Sequence, residues 1–165
     1  MNDIRSALYA GSFDPYTNGH RAIVRKAARL FDRVVVMIAV NTQKQRRFDP
    51  EAMRDAIRAE IEADGLDNVR VVIHRGLVAD YCAENGIGCY VRGLRNGLDY
   101  SYEENIALIN RLINPALETV YLRSDDPAIS SSMVRELLDF GKPVGVYVPG
   151  AVRALIEGEA AGADR

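Results

Sequence analysis

Short β-rich runs alternate with longer helical patterns from one end of the sequence to the other, which restricts the chain to parallel strands joined by helical crossovers. The strands are predicted at Ser6 to Ala10, Arg33 to Val40, Val69 to Ile73, Cys89 to Arg92 and Thr119 to Leu122. Several are apolar at consecutive positions, the pattern of a sheet covered by helices on both faces. No repeat, low-complexity tract or internal linker interrupts the series, and 165 residues suit one domain. The expected fold is a single-domain α/β chain with a doubly wound, five-stranded parallel sheet and C-terminal helices. In such a sheet ligands bind beyond the carboxyl ends of the strands, where the strand order reverses.

The first helix is predicted from about Gly19 to Phe31, with Asn18 as N-cap. In the second, Asp49 caps, Pro50 takes the first helical position, and Met53, Ile57 and Ile61 follow at spacing four until Gly65. Two more patterns run from about Leu77 to Asn85 and from Tyr100 to Asn114, the latter turning Ile106, Ile109 and Ile113 inward and stopping at Pro115. Another helix starts at Ser130-Ser131-Ser132. Val144 to Val148 reads as extended, and a short helix from Gly150 to Glu157 closes the domain, leaving 158–165 as a disordered tail.

Composition narrows the function. With 21 Lys and Arg against 23 Asp and Glu, the net charge of −2 supplies no global basic field for nucleic acid or an anionic membrane. The longest apolar stretch, Val34 to Val40, falls far short of the ~20 residues that span a bilayer, and the first five residues lack a signal-peptide core, so a cytoplasmic protein is expected. Cys82 and Cys89 read as two small buried thiols, and with only His20 and His74 beside them no metal-binding constellation is expected.

Chemistry gathers at the predicted strand ends. After the first strand, Gly11-Ser12-Phe13-Asp14-Pro15-Tyr16-Thr17-Asn18-Gly19-His20 is a polar, glycine-containing turn that runs into a helix N-terminus. Gly11 would let backbone approach an anion, Ser12 offers a hydroxyl and an amide, and His20 points a ring nitrogen the same way. Lys44, Arg46 and Arg47 follow the second strand, Arg92 and Arg95 the fourth, and the serine run the fifth. Their convergence on one crevice suits transfer among polyphosphates. Gly86-Ile87-Gly88 precedes a strand instead of following one, so it is no dinucleotide fingerprint, and there is no P-loop, nucleophile elbow or HExxH motif.

Gly-x-Phe-Asp-Pro followed by Asn-Gly-His resembles the signature of the nucleotidyltransferase superfamily, with Thr17 replacing the first of two histidines. The Thr17-Asn18-Gly19-His20 variant is similar to the phosphopantetheine adenylyltransferase family. The likeness continues through Lys44, Val91-Arg92-Gly93-Leu94-Arg95, Asp99, Tyr102-Glu103, Asn110-Arg111 and Ile129-Ser130-Ser131-Ser132. It implies a Rossmann-like nucleotidyltransferase fold over residues 1–157 and transfer of the adenylyl group of ATP to 4′-phosphopantetheine, giving dephospho-coenzyme A and pyrophosphate, with Mg2+ bound to ATP. His20, Lys44 and Arg92 would be catalytic. Ser12, Phe13, His20, Gly93, Leu94, Arg95, Glu103, Ile129, Ser130, Ser131 and Ser132 would bind ATP, and Ser12, Lys44, Val78, Arg92 and Asn110 the acceptor. A homohexamer inhibited by coenzyme A is the further implication.

Two departures from the family pattern stand out. The segment 123–128 is short and lacks an aromatic residue, and Gln45 follows Lys44 where a second lysine is common. On the residues alone, a sister nucleotidyltransferase, a nucleotide- or coenzyme A-binding module and a structural α/β domain remain alternatives.

Overall fold

Each apolar run pairs with a neighbour in parallel because a helix returns the chain to the same end of the sheet before the next strand begins. In a computed structural model, residues 5–163 are described, and residues 1–4 and 164–165 lie outside them. The elements are β1 (Ser6–Gly11), α1 (Asn18–Leu30), β2 (Arg33–Ala39), α2 (Pro50–Ala63), β3 (Val69–His74), α3 (Val78–Glu84), β4 (Cys89–Leu94), α4 (Gly97–Ile113), β5 (Glu118–Arg123), α5 (Ser131–Asp139) and α6 (Gly150–Ala163). The sheet order is β3-β2-β1-β4-β5, so the winding reverses between β1 and β4. Tyr9 pairs with Val36 on one side and Val91 on the other. The gap above the ends of β1 and β4 is the crevice that a doubly wound sheet offers a ligand.

Alternation along the strands divides the core. Ala7, Tyr9, Val34, Val36, Ile38 and Val91 face one layer with Ile23, Val24 and Ala27 of α1, Met53 and Ile57 of α2, Val134 of α5 and Val152 of α6. Leu8, Ala10, Val35, Met37 and Tyr90 face the other, with Ala79 and Cys82 of α3 and Ile106 of α4. A period of two on the strands thus meets helices on both sides. Arg21 of α1 joins Glu60 of α2 at 3.2 Å, and Glu60 accepts the Ala151 N–H of α6 at 2.6 Å. Arg21 and Arg25 both donate to Asp64, holding its carboxyl well below the usual carboxylate range.

Several expectations need correction. The N-cap of α1 is Thr17, whose hydroxyl accepts the His20 N–H; Asn18 is the first helical residue, and its side chain donates to Val146 O. Val144 to Val148 is a turn closed by Tyr147 N–H on Val144 O, and its Tyr147 carbonyl accepts the Asn18 N–H, so this backbone caps α1 instead of entering the sheet. Helix α4 begins at Gly97 under an Asn96 cap; its inner face carries Glu103 and Ile106, Ile109 is turned away from that face and exposed, and Ile113, on the same face as Ile106, is exposed because it is the last residue of the helix. Of the tail expected to be disordered at 158–165, residues 158–163 are helical and 164–165 lie outside the described residues. Cys82 is buried, but Cys89 is only half-buried.

Ile57 is fully buried between α2 and the sheet. Ile57→Ala is expected to lower the unfolding free energy by about 2–5 kcal/mol, read from urea denaturation followed by circular dichroism.

Candidate active site

The turn after β1 is built from the inside out. Buried Asp14 accepts the backbone N–H groups of Arg47 at 3.0 Å and Phe48 at 2.9 Å, which ties this turn to the loop after β2. Phe13, at φ 44°, occupies the left-handed region that a non-glycine residue enters only when its surroundings compel it. The compulsion is packing: its buried ring lies 5.4 Å from Tyr9, 5.4 Å from Tyr16 and 4.9 Å from His20. Gly11 serves this ring, because a Cβ there would stand 2.8 Å from Phe13 Cε1. The close approach that Gly11 permits is therefore made by Phe13.

His20 closes a reciprocal cap. The Thr17 hydroxyl accepts the His20 N–H, and the Thr17 backbone N–H donates to His20 Nδ1 at 3.0 Å. An amide can only donate, so Nδ1 is the acceptor nitrogen and the neutral ring carries its proton on Nε2. Burial, with smaller contributions from Arg95 and Arg92, lowers the His20 pKa to about 4. At neutral pH His20 is thus an uncharged N–H donor at the cavity wall.

The cavity, about 300 Å³, lies over the ends of β1 and β4 at the reversal of strand order. It brings together Ser12, Phe13, His20, Arg92, Gly93, Arg95, Glu103, Ile129, Ser130, Ser131 and Ser132 from the set predicted by sequence. Ser130 both caps α5, accepting the Met133 N–H, and lines the cavity. A Cβ at Gly93 would press on Ile23 at 3.3 Å, so glycine lets β4 lie close against α1. Arg92 donates to both carboxylate oxygens of Glu103, to Ala10 O and to Tyr90 OH, which leaves one of its five N–H groups uncommitted. Arg95 is paired with Asp99 at 3.0 Å.

Lys44 stands apart from that wall. It lines a second cavity of about 550 Å³ with Asp14, Arg46, Arg47, Arg135 and Asp139, and the two cavities share Ser12. Leu94 belongs to β4 and lines neither cavity. Val78 and Asn110 lie on α3 and α4, outside both; Val78 packs on the second core layer, and Asn110 Nδ2 is buried without a hydrogen-bond partner. Tyr102 is exposed. Sequence reasoning did not single out Tyr9, Ile23, Ser124 and Arg135 as cavity residues. Arg135 had no local signal, since an arginine in the second turn of an amphipathic helix reads as a solvated face.

The Cytidylyltransferase-like family model matches residues 8–137. The chain is 42% identical over 154 residues to a phosphopantetheine adenylyltransferase of Lactobacillus gasseri, covering 92% of each sequence. It is 41% identical to one of Thermotoga neapolitana, over 92% of this chain and 94% of the relative. It is also 42% identical over 162 residues to one of Streptococcus pneumoniae, covering 96% and 98%. A crystal structure described as a nicotinate-nucleotide adenylyltransferase of Vibrio parahaemolyticus superposes with a TM-score of 0.72 over 95% of this chain and 94% of that one, at 18% identity, which speaks to the fold alone.

Because the folded pKa of His20 lies below its unfolded value, the folded state binds fewer protons between the two, and this group costs stability as pH falls from about 6.5 toward 4. In an NMR titration the His20 ring is expected to stay neutral, with its proton on Nε2, down to pH 5; a midpoint above 6 would contradict the burial described.

Proposed function

Since the chain belongs to the phosphopantetheine adenylyltransferases, within the Cytidylyltransferase-like family, we infer that its crevice transfers the adenylyl group of ATP to 4′-phosphopantetheine, releasing pyrophosphate and forming dephospho-coenzyme A. The observation that carries the reading is the shared Ser12: one phosphate turn serves two adjoining cavities, one for a nucleotide and one lined by Lys44. The acceptor phosphate is already ionised at neutral pH, so its oxygen attacks the α-phosphorus directly as the bond to the pyrophosphate oxygen breaks. No general base and no covalent intermediate are required.

In this reading His20 donates Nε2–H to an α-phosphate oxygen and stabilises charge that grows in the transition state. The Ser12 hydroxyl and the Phe13 amide hold phosphate oxygens, and Ser130 to Ser132 receive the β- and γ-phosphates at the start of α5. Gly93 to Arg95 and Glu103, with Ile129, accommodate the nucleoside. Lys44 meets the acceptor phosphate as a point charge, with Arg92 supplying its one uncommitted N–H group, and Val78 and Asn110 flank the pantetheine arm. Among the described residues no three His, Cys, Asp or Glu side chains gather to hold a metal, and Asp99 and Glu103 are tied to arginines. Mg2+ bound with ATP would supply charge neutralisation on the phosphates.

The same reading sets the enzyme in the cytoplasm, where ATP is available, and makes coenzyme A, which carries the acceptor's arm, an inhibitor that competes for its place. A homohexamer would explain the apolar stripe on α4, where Leu98, Tyr102, Ile109 and Leu112 are each more than half exposed.

With ATP, Mg2+ and 4′-phosphopantetheine, pyrophosphate release is expected to need both ATP and the phosphorylated acceptor; release with CTP instead would reassign the substrate. His20→Ala is expected to lower kcat by about 10²–10³ with KM nearly unchanged, and a rise in KM alone would remove its transition-state role. By light scattering the wild type should have the mass of six chains and Leu112→Glu a smaller one; a monomeric wild type refutes the assembly.

A further inference from the structure

The turn that carries Ser12 and Phe13 presents carbonyl oxygens outward as well as donors inward. Arg46 Nη1 donates to Ser12 O at 2.7 Å, Arg135 Nη1 donates to Asp14 O, and Ser131 Oγ donates to Pro15 O at 2.8 Å. In a trans peptide the C=O of one residue and the N–H of the next point in opposite directions within one rigid plane. Drawing Ser12 O toward Arg46, in the second cavity, therefore aims the Phe13 N–H the other way, toward the cavity that holds His20. That N–H makes no hydrogen bond among the described residues, which leaves it free for a ligand.

We propose that Arg46 and Arg135 are positioning residues for adenylyl transfer: they act through the Ser12 and Asp14 carbonyls and fix the direction of the Phe13 amide donor. The proposal rests on the adenylyltransferase reading and adds residues that need not touch either substrate. Arg46 is well placed for this. Its side chain is only 13% exposed, its Nε donates to Phe48 O at 3.3 Å, and its Nη2 approaches Asp14 no closer than 3.9 Å. Its one short contact is the Ser12 carbonyl. Arg135 also donates to Ser132 Oγ at 3.3 Å, so a single guanidinium, beside the direct Ser131–Pro15 bond, ties the turn to the serine run. Both elements that receive phosphates are thereby held at a set distance. Aromatic packing holds Phe13 at φ 44°, and the two arginines restrain the Ser12 and Asp14 carbonyls on either side of it.

A positioning role and direct anion binding differ in what they ask of residue 46. Positioning requires a hydrogen-bond donor that reaches Ser12 O, whereas anion binding requires the charge. Arg46→Met keeps the stem but has no donor, and Arg46→Gln keeps a neutral donor. Steady-state kinetics of pyrophosphate release from ATP and 4′-phosphopantetheine, with the melting temperature of each variant, distinguish the two. Arg46→Met is expected to lower kcat by tenfold or more, up to the roughly hundredfold that a 1 Å misplacement can cost, with KM for both substrates within threefold and melting within a few degrees of wild type. Arg46→Gln should recover most of kcat. Arg135→Gln, which keeps a neutral donor, should likewise retain activity that Arg135→Met loses. Full kcat in Arg46→Met, a rise confined to KM, or an Arg46→Gln no better than Arg46→Met would overturn the proposal. If Arg46→Met fails to fold, Arg46→Gln against Arg46→Lys decides: equal kcat supports positioning, and activity only with the charged lysine overturns it. A wild type that releases no pyrophosphate would instead remove the adenylyltransferase reading itself.

Discussion

A buried carboxylate satisfied by amides anchors the whole site. Asp14 is 6% exposed, and it accepts the N–H groups of Arg47 and Phe48. Charge-assisted bonds of this kind offset the cost of removing a carboxylate from water, and they do so without drawing an arginine out of the crevice. They also join the loop after β1 to the loop after β2, two segments that the sheet alone would leave independent. Once the loops are joined, Phe13 has its aromatic enclosure, Arg46 comes within reach of Ser12 O, and α1 starts with His20 facing inward.

The electrostatics divide in a way that matches the chemistry. In the cavity with His20, the cations are largely compensated: Arg92 is bound to Glu103 and Arg95 to Asp99. What remains there is a set of neutral donors, namely the His20 ring, the Phe13 amide and the serine hydroxyls. Neutral donors fixed in place are well suited to charge that shifts during a reaction, because they need no reorganisation as it moves. The neighbouring cavity keeps the uncompensated charge. Lys44 and Arg135 form no ion pair there among the described residues, and Arg46 reaches Asp14 only at 3.9 Å.

Much of the fold was legible because its signals are local. Apolar runs such as Val34 to Ile38 mark a strand buried on both faces, and Asp49-Pro50-Glu51 marks a helix start, since a cap, a fixed φ and a favourable dipole contact all lie within three residues. Thr17 was harder to read than Asn18 because both can cap, and the choice is made by the His20 ring that reaches back to the Thr17 backbone. Val144 to Val148 has strand composition, yet its carbonyls are taken by the start of α1, a partner more than a hundred residues away. Along α4 the apolar residues exceed what one inner face can cover, so periodicity could not say which of Ile106, Ile109 and Ile113 is inside.

By itself the sequence determined the alternating order of strands and helices, the reversal crevice as the place to look, and most of the wall around His20. The element order and the crevice follow from side-chain period and cap chemistry; of the wall, Ser12, Phe13 and His20 sit within ten consecutive residues, whereas Gly93, Arg95, Glu103, Ile129 and Ser130 to Ser132 were implied by the resemblance to the nucleotidyltransferases. The tertiary structure alone decided that His20 is uncharged with its proton on Nε2, that Arg92 spends four of its donors inside the protein, and that Lys44 serves a separate cavity. It also recruited Arg135 from an ordinary helical position. Each of these depends on desolvation or on a partner distant in sequence, and neither quantity is encoded in any local stretch of chain.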